Sequence, residues 1–253
     1  PPLRLTTAAP LGMLAVMILQ AVILLGGKGT RIAAQFPDVP KALVPVAGRP
    51  FLEWQLDWLK KNGVSQILLA AGYKADVLER HLAARPADGL DISLSREPRP
   101  LGTGGALKFV ERRLASDPVL VLNGDSLAPN LDLAAHGPAA GRGAPAPSAL
   151  FAAPIENAGR YGTVEFDAGG FVTAFREKTE RRAGFVNAGI YRLPRGVIAA
   201  IPAERPVSLE TEIFPALVAR KQLAAIPAPP PLLDMGTPDG LARMEGFLTD
   251  TIL

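Results

Sequence analysis

The chain of 253 residues is 48% hydrophobic and 20% charged, with a formal net charge of +3 at pH 7. That composition holds core enough for one large α/β domain or two small ones, and its mild positive balance argues for local anionic ligands and against a nucleic-acid partner. With no cysteine and two histidines, His81 and His136, it excludes disulfides, thiolate metal sites and thiol catalysis, and both histidines are expected at the surface.

In chain order, Leu11 to Leu25 is mostly apolar but shorter than the ~20 residues of a spanning helix, and Ala21 to Leu25 is wanted for the first strand. Residues 1–17 are read as an extension ahead of the fold, with a start near Met13 or Met17. The protein is then expected in the cytoplasm without membrane insertion. Phe51 to Asn62 reads as a helix, with Leu52, Leu56 and Leu59 on one stripe and Gly63 as its stop. A strand at Gln66 to Ala71, a helix at Ala75 to Leu82, a strand at Asp91 to Leu94, a helix at Gly104 to Leu114 and a strand at Val119 to Leu122 follow. This alternation predicts a mostly parallel sheet flanked by helices.

Ala134 to Ser148, rich in Ala, Gly and Pro, reads as a loose connection. Beyond it, Tyr161 to Phe166 and Phe171 to Arg176 form a hairpin pattern about Ala168-Gly169-Gly170, and Phe185 to Tyr191 is a further strand. Helices are expected at Glu210 to Arg220 and Pro238 to Phe247, the latter with Thr237 as its cap. One domain over 18–253 results, with a wound half at about 18–133 and a smaller β-rich lobe at about 148–253. Exposed apolar patches and core read alike in sequence, so no oligomeric state is assigned.

The first strand runs into Gly26-Gly27-Lys28-Gly29-Thr30-Arg31, and Lys41 follows Arg31 by ten residues. Glycines let backbone amides crowd a phosphate, and Arg31 and Lys41 bring the charge a polyphosphate needs. The loop is not a P-loop, because no lysine stands between Gly and Ser or Thr. It is not a dinucleotide fingerprint either, because Ile32 occupies the place of the third glycine. Asp125 follows a buried strand in Asn123-Gly124-Asp125, where open α/β sheets bind ligands; the same tripeptide also serves as a plain turn. Asp234 precedes a helix start, and two carboxylates brought together suit one Mg²⁺.

The G-G-x-G-T-R loop, the later P-K, the Leu101 to Lys108 loop, N-G-D, F-R-E-K and N-A-G, in this order, resemble the sugar-phosphate nucleotidylyltransferases over about Ala21 to Phe247. Within that family R-P-F-L-E-W, L-G-T-G-G-A-L-K and S-L-E-T-E-I-F-P-A-L look most like the D-glycero-α-D-manno-heptose 1-phosphate guanylyltransferases. The resemblance implies a Rossmann-like, GT-A-like nucleotidyltransferase fold with a sugar-binding lobe. It also implies a Mg²⁺-dependent reaction of GTP with a sugar 1-phosphate, giving a GDP-heptose for surface polysaccharide and pyrophosphate. Mannose 1-phosphate guanylyl transfer, N-acetylmuramate 1-phosphate uridylyl transfer and a catalytically silent regulatory homologue are the alternatives.

By the same resemblance, Gly26, Gly27, Gly29, Thr30, Gly102 and Thr103 bind the nucleotide, and Arg31, Lys41, Asp125 and Lys178 act on the reacting phosphates. Asp125 and Asp234 hold the metal, while Gly162, Glu177, Asn187 and Glu210 face the sugar. Glu97 stands where uridine- and thymidine-using members commonly place Gln. A carboxylate only accepts hydrogen bonds, and guanine offers N1–H and the N2 amino group on one edge, so Glu97 favours guanine if it faces the base. An exposed loop acid is the other reading of Glu97. Ile32 in place of Leu and Thr179 in place of Pro depart from the family pattern without removing a chemical group.

Overall fold

The computed structural model describes residues 20–27, 29, 32, 35–136, 148–156, 162–176 and 183–252. Strand β1 (Gln20–Leu25) leads to the short antiparallel pair β2 (Pro45–Val46) and β3 (Arg49–Pro50) and then to helix α1 (Phe51–Lys61). Strand β4 (Gln66–Ala71), helix α2 (Ala75–Ala84), strand β5 (Asp91–Arg96), helix α3 (Gly102–Val110) and strand β6 (Val119–Asn123) follow. β5, β4, β1 and β6 lie side by side, all parallel, with Val22 opposite Leu68 on one side and Val121 on the other.

Next come β7 (Ser126–Leu127), β8 (Ser148–Ile155), β9 (Thr163–Phe166), β10 (Val172–Arg176) and β11 (Gly184–Leu193). The chain closes with α4 (Arg195–Ala199), α5 (Phe214–Ala219), β12 (Leu223–Pro227), β13 (Leu233–Asp234) and α6 (Pro238–Ile252). β11 runs antiparallel to β6, so the β-rich half extends the same nine-stranded sheet in the order β10-β9-β11-β6-β1-β4-β5. β8 pairs with β11, and β12 runs parallel to β8.

Side chains along β1 alternate between two cores, as strand geometry requires. Ala21, Ile23 and Leu25 pack on one face with Leu52, Leu56 and Leu59 of α1 and with Met244 and Leu248 of α6. Val22 packs on the other with Leu107 and Val110 of α3 and Phe214 of α5. Burial on both faces explains why β1 and β6 are continuous apolar runs.

Several expectations shift. β8 and β12 have no counterpart in the sequence reading, because an apolar run beside an Ala/Gly/Pro-rich stretch and a five-residue segment show no usable period. α3 begins at Gly102, ahead of the expected Gly104, and a 3₁₀ turn at Glu111–Arg113 finishes it. The helix expected from Glu210 begins as a π turn at Leu209–Ile213, with the Ser208 hydroxyl accepting from Thr211 N at 3.2 Å. Thr237 caps α6 by accepting from Gly240 N at 3.1 Å.

His81 is half-buried and not a free surface group: its Nε2 lies 2.6 Å from Glu53 Oε1. Arg85 Nε shares that carboxylate at 3.0 Å, because α1 and α2 turn these polar edges toward each other. The side chain of His136, residues 1–17 and most of the connection at Ala134 to Ser148 lie outside what is described. No described helix is long and apolar enough to cross a membrane.

Candidate active site

A cavity of about 820 Å³ opens at the carboxyl ends of β1, β5 and β6, the edge where open α/β sheets receive ligands. Gly26, Gly27 and Gly29 line one wall, Glu97, Gly102 and Thr103 another, and Lys41, Asp125 and Asp234 a third. Gly162 reaches it from the β-rich half. Thr30, Arg31, Glu177 and Lys178 lie outside the described residues.

The acidic wall is assembled from three distant segments. Gly124 N donates to Leu24 O at 3.1 Å, tying the turn after β6 to β1. β7 and β13 then pair antiparallel, with Ser126 opposite Asp234, and Met235 N donates to Asp125 O at 3.0 Å. Lys41, at the start of a 3₁₀ turn (Lys41–Leu43), reaches Asp125 Oδ2 at 2.5 Å. The Ser126 hydroxyl donates to Asp125 Oδ1 at 3.1 Å. Asp234 accepts from Gly236 N, yet burial, and then the nearby Asp125, push its carboxyl above the usual range. Two oxygen-donor side chains that repel one another form a set a hard divalent cation relieves, and such a cation takes its remaining ligands from water and substrate phosphates.

At the other end, Glu97 follows β5 and is held by Glu97 N donating to Ala71 O at 2.7 Å. It is 6% exposed, so the exposed-acid reading falls away. Leu101 N donates to its Oε2 at 3.2 Å, while Oε1 is buried with no hydrogen-bond partner among the described residues. Burial pushes this carboxyl above its ordinary value. Gly26 permits the approach, since a Cβ there would lie 2.7 Å from Glu97 Oε1. Gly102 has φ +71°, and a Cβ there would meet Val207 O at 2.5 Å.

Asn187 and Glu210 are not on the cavity wall; Glu210 stands one hydrogen bond behind Thr103, which is. Thr103 Oγ1 donates to Glu210 Oε2 at 2.7 Å and accepts from Leu209 N at 2.8 Å. The Ser208 hydroxyl donates to the same oxygen at 2.9 Å. Tyr191 OH donates to Glu210 Oε1 at 3.3 Å and accepts from Asn187 Nδ2 at 3.0 Å. Asn187 Oδ1 accepts from Gly189 N at 2.9 Å. Burial, with Glu210 beside it, keeps the Tyr191 phenol well above its usual value and therefore protonated. Tyr191, and Gln55 of α1, whose Nε2 donates to Asn123 O at 2.9 Å, stand in no motif; the only mark of Gln55 in the sequence is a polar residue on the buried stripe of an otherwise apolar helix face.

A family model for nucleotidyl transferases matches residues 20–251. The chain belongs to the nucleotidyl transferase family. This nucleotidyl transferase is 38% identical over 231 residues to a mannose-1-phosphate guanylyltransferase of Mycobacterium tuberculosis, covering 88% of the chain and 62% of the relative. It thus spans about three fifths of that relative's length. It is 33% identical over 192 residues to a D-glycero-alpha-D-manno-heptose 1-phosphate guanylyltransferase of Campylobacter jejuni, covering 76% of the chain and 83% of the relative. The crystal structure of HddC from Yersinia pseudotuberculosis complexed with GMP-PN superposes with a TM-score of 0.79 at 27% identity, over 91% of this chain and 99% of that one.

Proposed function

We propose that this transferase joins a manno-configured sugar 1-phosphate to GTP, giving a GDP-sugar and pyrophosphate. The observation that carries the reading is one cavity with Lys41, Asp125 and Asp234 on one wall and the buried, half-partnered carboxylate of Glu97 on another. Relatives named for mannose and for manno-heptose 1-phosphate guanylyl transfer support the guanine base and the manno ring. The sequence motifs look most like the heptose enzymes, and the mannose reading has equal support among the relatives.

The sugar phosphate has its second pKa near about 6, so it is largely dianionic at neutral pH and attacks the α-phosphorus without a general base. A bond forms from its oxygen to that phosphorus, the α–β bridging bond breaks, and pyrophosphate leaves with the electron pair. The chain therefore works by positioning and by charge. Amides of Gly26, Gly27 and Gly29, with Thr30 and Arg31, hold the triphosphate. Lys41 and Lys178 neutralise the reacting phosphates. Asp125 and Asp234 would hold Mg²⁺, which would supply positive charge to the reacting phosphates.

Glu97 accepts from guanine N1–H and the N2 amino group, which uracil and thymine lack, while Gly102 and Thr103 shape the loop around the base. Gly162 and Glu177 face the sugar, and Asn187, whose amide is committed to Tyr191 OH and Gly189 N, braces that side from behind. Glu210, its oxygens already committed to Thr103, Ser208 and Tyr191, supports them from behind.

The test is pyrophosphate release by the purified protein with Mg²⁺, each of the four common NTPs, and a panel including mannose and manno-heptose 1-phosphates. Release with GTP and a manno sugar is expected, and the faster of the two names the substrate. Release with UTP alone overturns the role of Glu97, and no release from any pair overturns the reading.

A further inference from the structure

Helix α1 buries Phe51, Leu52, Leu56 and Leu59 completely, and in the middle of that face it also buries an amide, Gln55, at 0% exposure. A lone amide in an apolar core costs stability unless it satisfies groups that have no other partner. Gln55 Nε2 donates to Asn123 O at 2.9 Å and to Ser126 O at 3.0 Å. These carbonyls flank Gly124-Asp125, so one side chain grips both ends of the turn that presents Asp125. The pairing also fixes the amide's orientation, because a reversed amide would set oxygen against two carbonyl oxygens. Gln55 Oε1 is left without a hydrogen-bond partner among the described residues, a cost the molecule bears to keep the two donors where they are.

The rest of the turn is held as tightly. Gly124 N bonds to β1, and Asp125 O receives Met235 N from the segment after β13. Gln55 supplies the tie to α1, and Phe51 N at the head of α1 in turn donates to Val44 O at 3.0 Å, just past the 3₁₀ turn that bears Lys41. α1 thereby aligns the two members of the Lys41–Asp125 pair with one another.

We infer that Gln55 is a positioning residue for the reaction: it sets Asp125 through the backbone of its turn and does not itself meet substrate. The inference rests on the proposed role of Asp125. It calls for two readouts on the full chain: steady-state kinetics with Mg²⁺, GTP and the sugar 1-phosphate, and amide hydrogen exchange without ligands. The variants are Gln55→Met, which keeps bulk and removes the donors, and Gln55→Glu, which keeps shape and sets a carboxyl against both carbonyls. Leu56→Ala, one residue away in the same core, is the control for plain loss of packing.

In Gln55→Met, exchange in the peptide spanning Val119 to Leu127 should accelerate about tenfold, beyond any rise elsewhere. Its kcat should fall about tenfold or more, with the GTP KM changing less than about twofold. Gln55→Glu should move the same way, and it decides the matter if Gln55→Met does not fold. Leu56→Ala should loosen α1 and its neighbours as a whole without singling out the turn, and should lower kcat less than Gln55→Met does. Gln55 variants whose exchange and kinetics match Leu56→Ala overturn the inference. A wild-type protein that releases no pyrophosphate overturns the reading of the site instead, and the exchange data still decide whether Gln55 holds the turn.

Discussion

Thr103 Oγ1 donates to Glu210 Oε2 at 2.7 Å, and through this bond the loop at the head of α3 is fastened to the turn that precedes α5. Gly104 N and Leu209 N reinforce the seam, donating to Val207 O at 2.9 Å and to Thr103 Oγ1 at 2.8 Å. Because Glu210 also accepts from Tyr191, the wall proposed for the nucleotide and the strand proposed for the sugar share one carboxylate.

Glu210→Ala should therefore orphan three hydroxyl donors at once. Each bond to a charged acceptor contributes about 1.5–3 kcal/mol when made, so a loss of about 2 kcal/mol or more in urea unfolding is expected. A double-mutant cycle with Thr103→Ala should show coupling of about 1 kcal/mol or more. The KM values for both substrates should rise together. Additive stabilities would mean that the seam is held by the backbone alone.

Glu97 gives a pH dependence with a definite sign. Its folded carboxyl sits above its ordinary value because burial disfavours the charge. The folded state then binds more protons than the unfolded state between the two pKa values, so stability falls as pH rises from about 4 through the folded pKa and levels off above it. Glu97→Gln should melt higher than wild type at neutral pH, with the gap closing below about pH 4. The same variant should erode the preference for GTP over UTP. Thermal unfolding across pH and an NTP competition assay check the two halves separately.

The proposed chemistry bears on Asp125, Lys41 and Arg31. Asp125→Ala and Arg31→Ala should each lower kcat by about 10² or more while leaving the circular dichroism spectrum unchanged. Lys41→Met should lower kcat similarly, since Lys41 Nζ lies 2.5 Å from Asp125 Oδ2 on the cavity wall. Near-normal turnover in Asp125→Ala would remove it from the reaction.

Gly102→Ala tests the loop geometry. The residue has φ +71°, and a Cβ would sit 2.5 Å from Val207 O, so the loop must move. A destabilisation of more than about 1 kcal/mol and a raised KM for GTP are expected. An unchanged KM would show that the base does not rest on this loop.

Much of this molecule was legible in the chain itself. The stripe of Leu52, Leu56 and Leu59 states its period locally, because a helix buried on one face repeats at its own pitch, and the continuous apolar runs of β1, β4 and β6 mark strands buried on both faces by their length and composition. The glycine-rich loop, Asp125 and the choice of Glu over Gln at position 97 were equally plain, because each is a chemical identity at a strand end. What the sequence could not express was which distant segments meet. Asp234 reaches Asp125 through two strands of two residues each, too short to carry a period. β8 and β12 become strands because β11 offers β8 an edge and β8 offers one to β12. The burial of Glu97, the grip of Gln55 on two carbonyls and the sharing of Glu210 are likewise set by packing between elements, where long-range register decides which polar groups find partners.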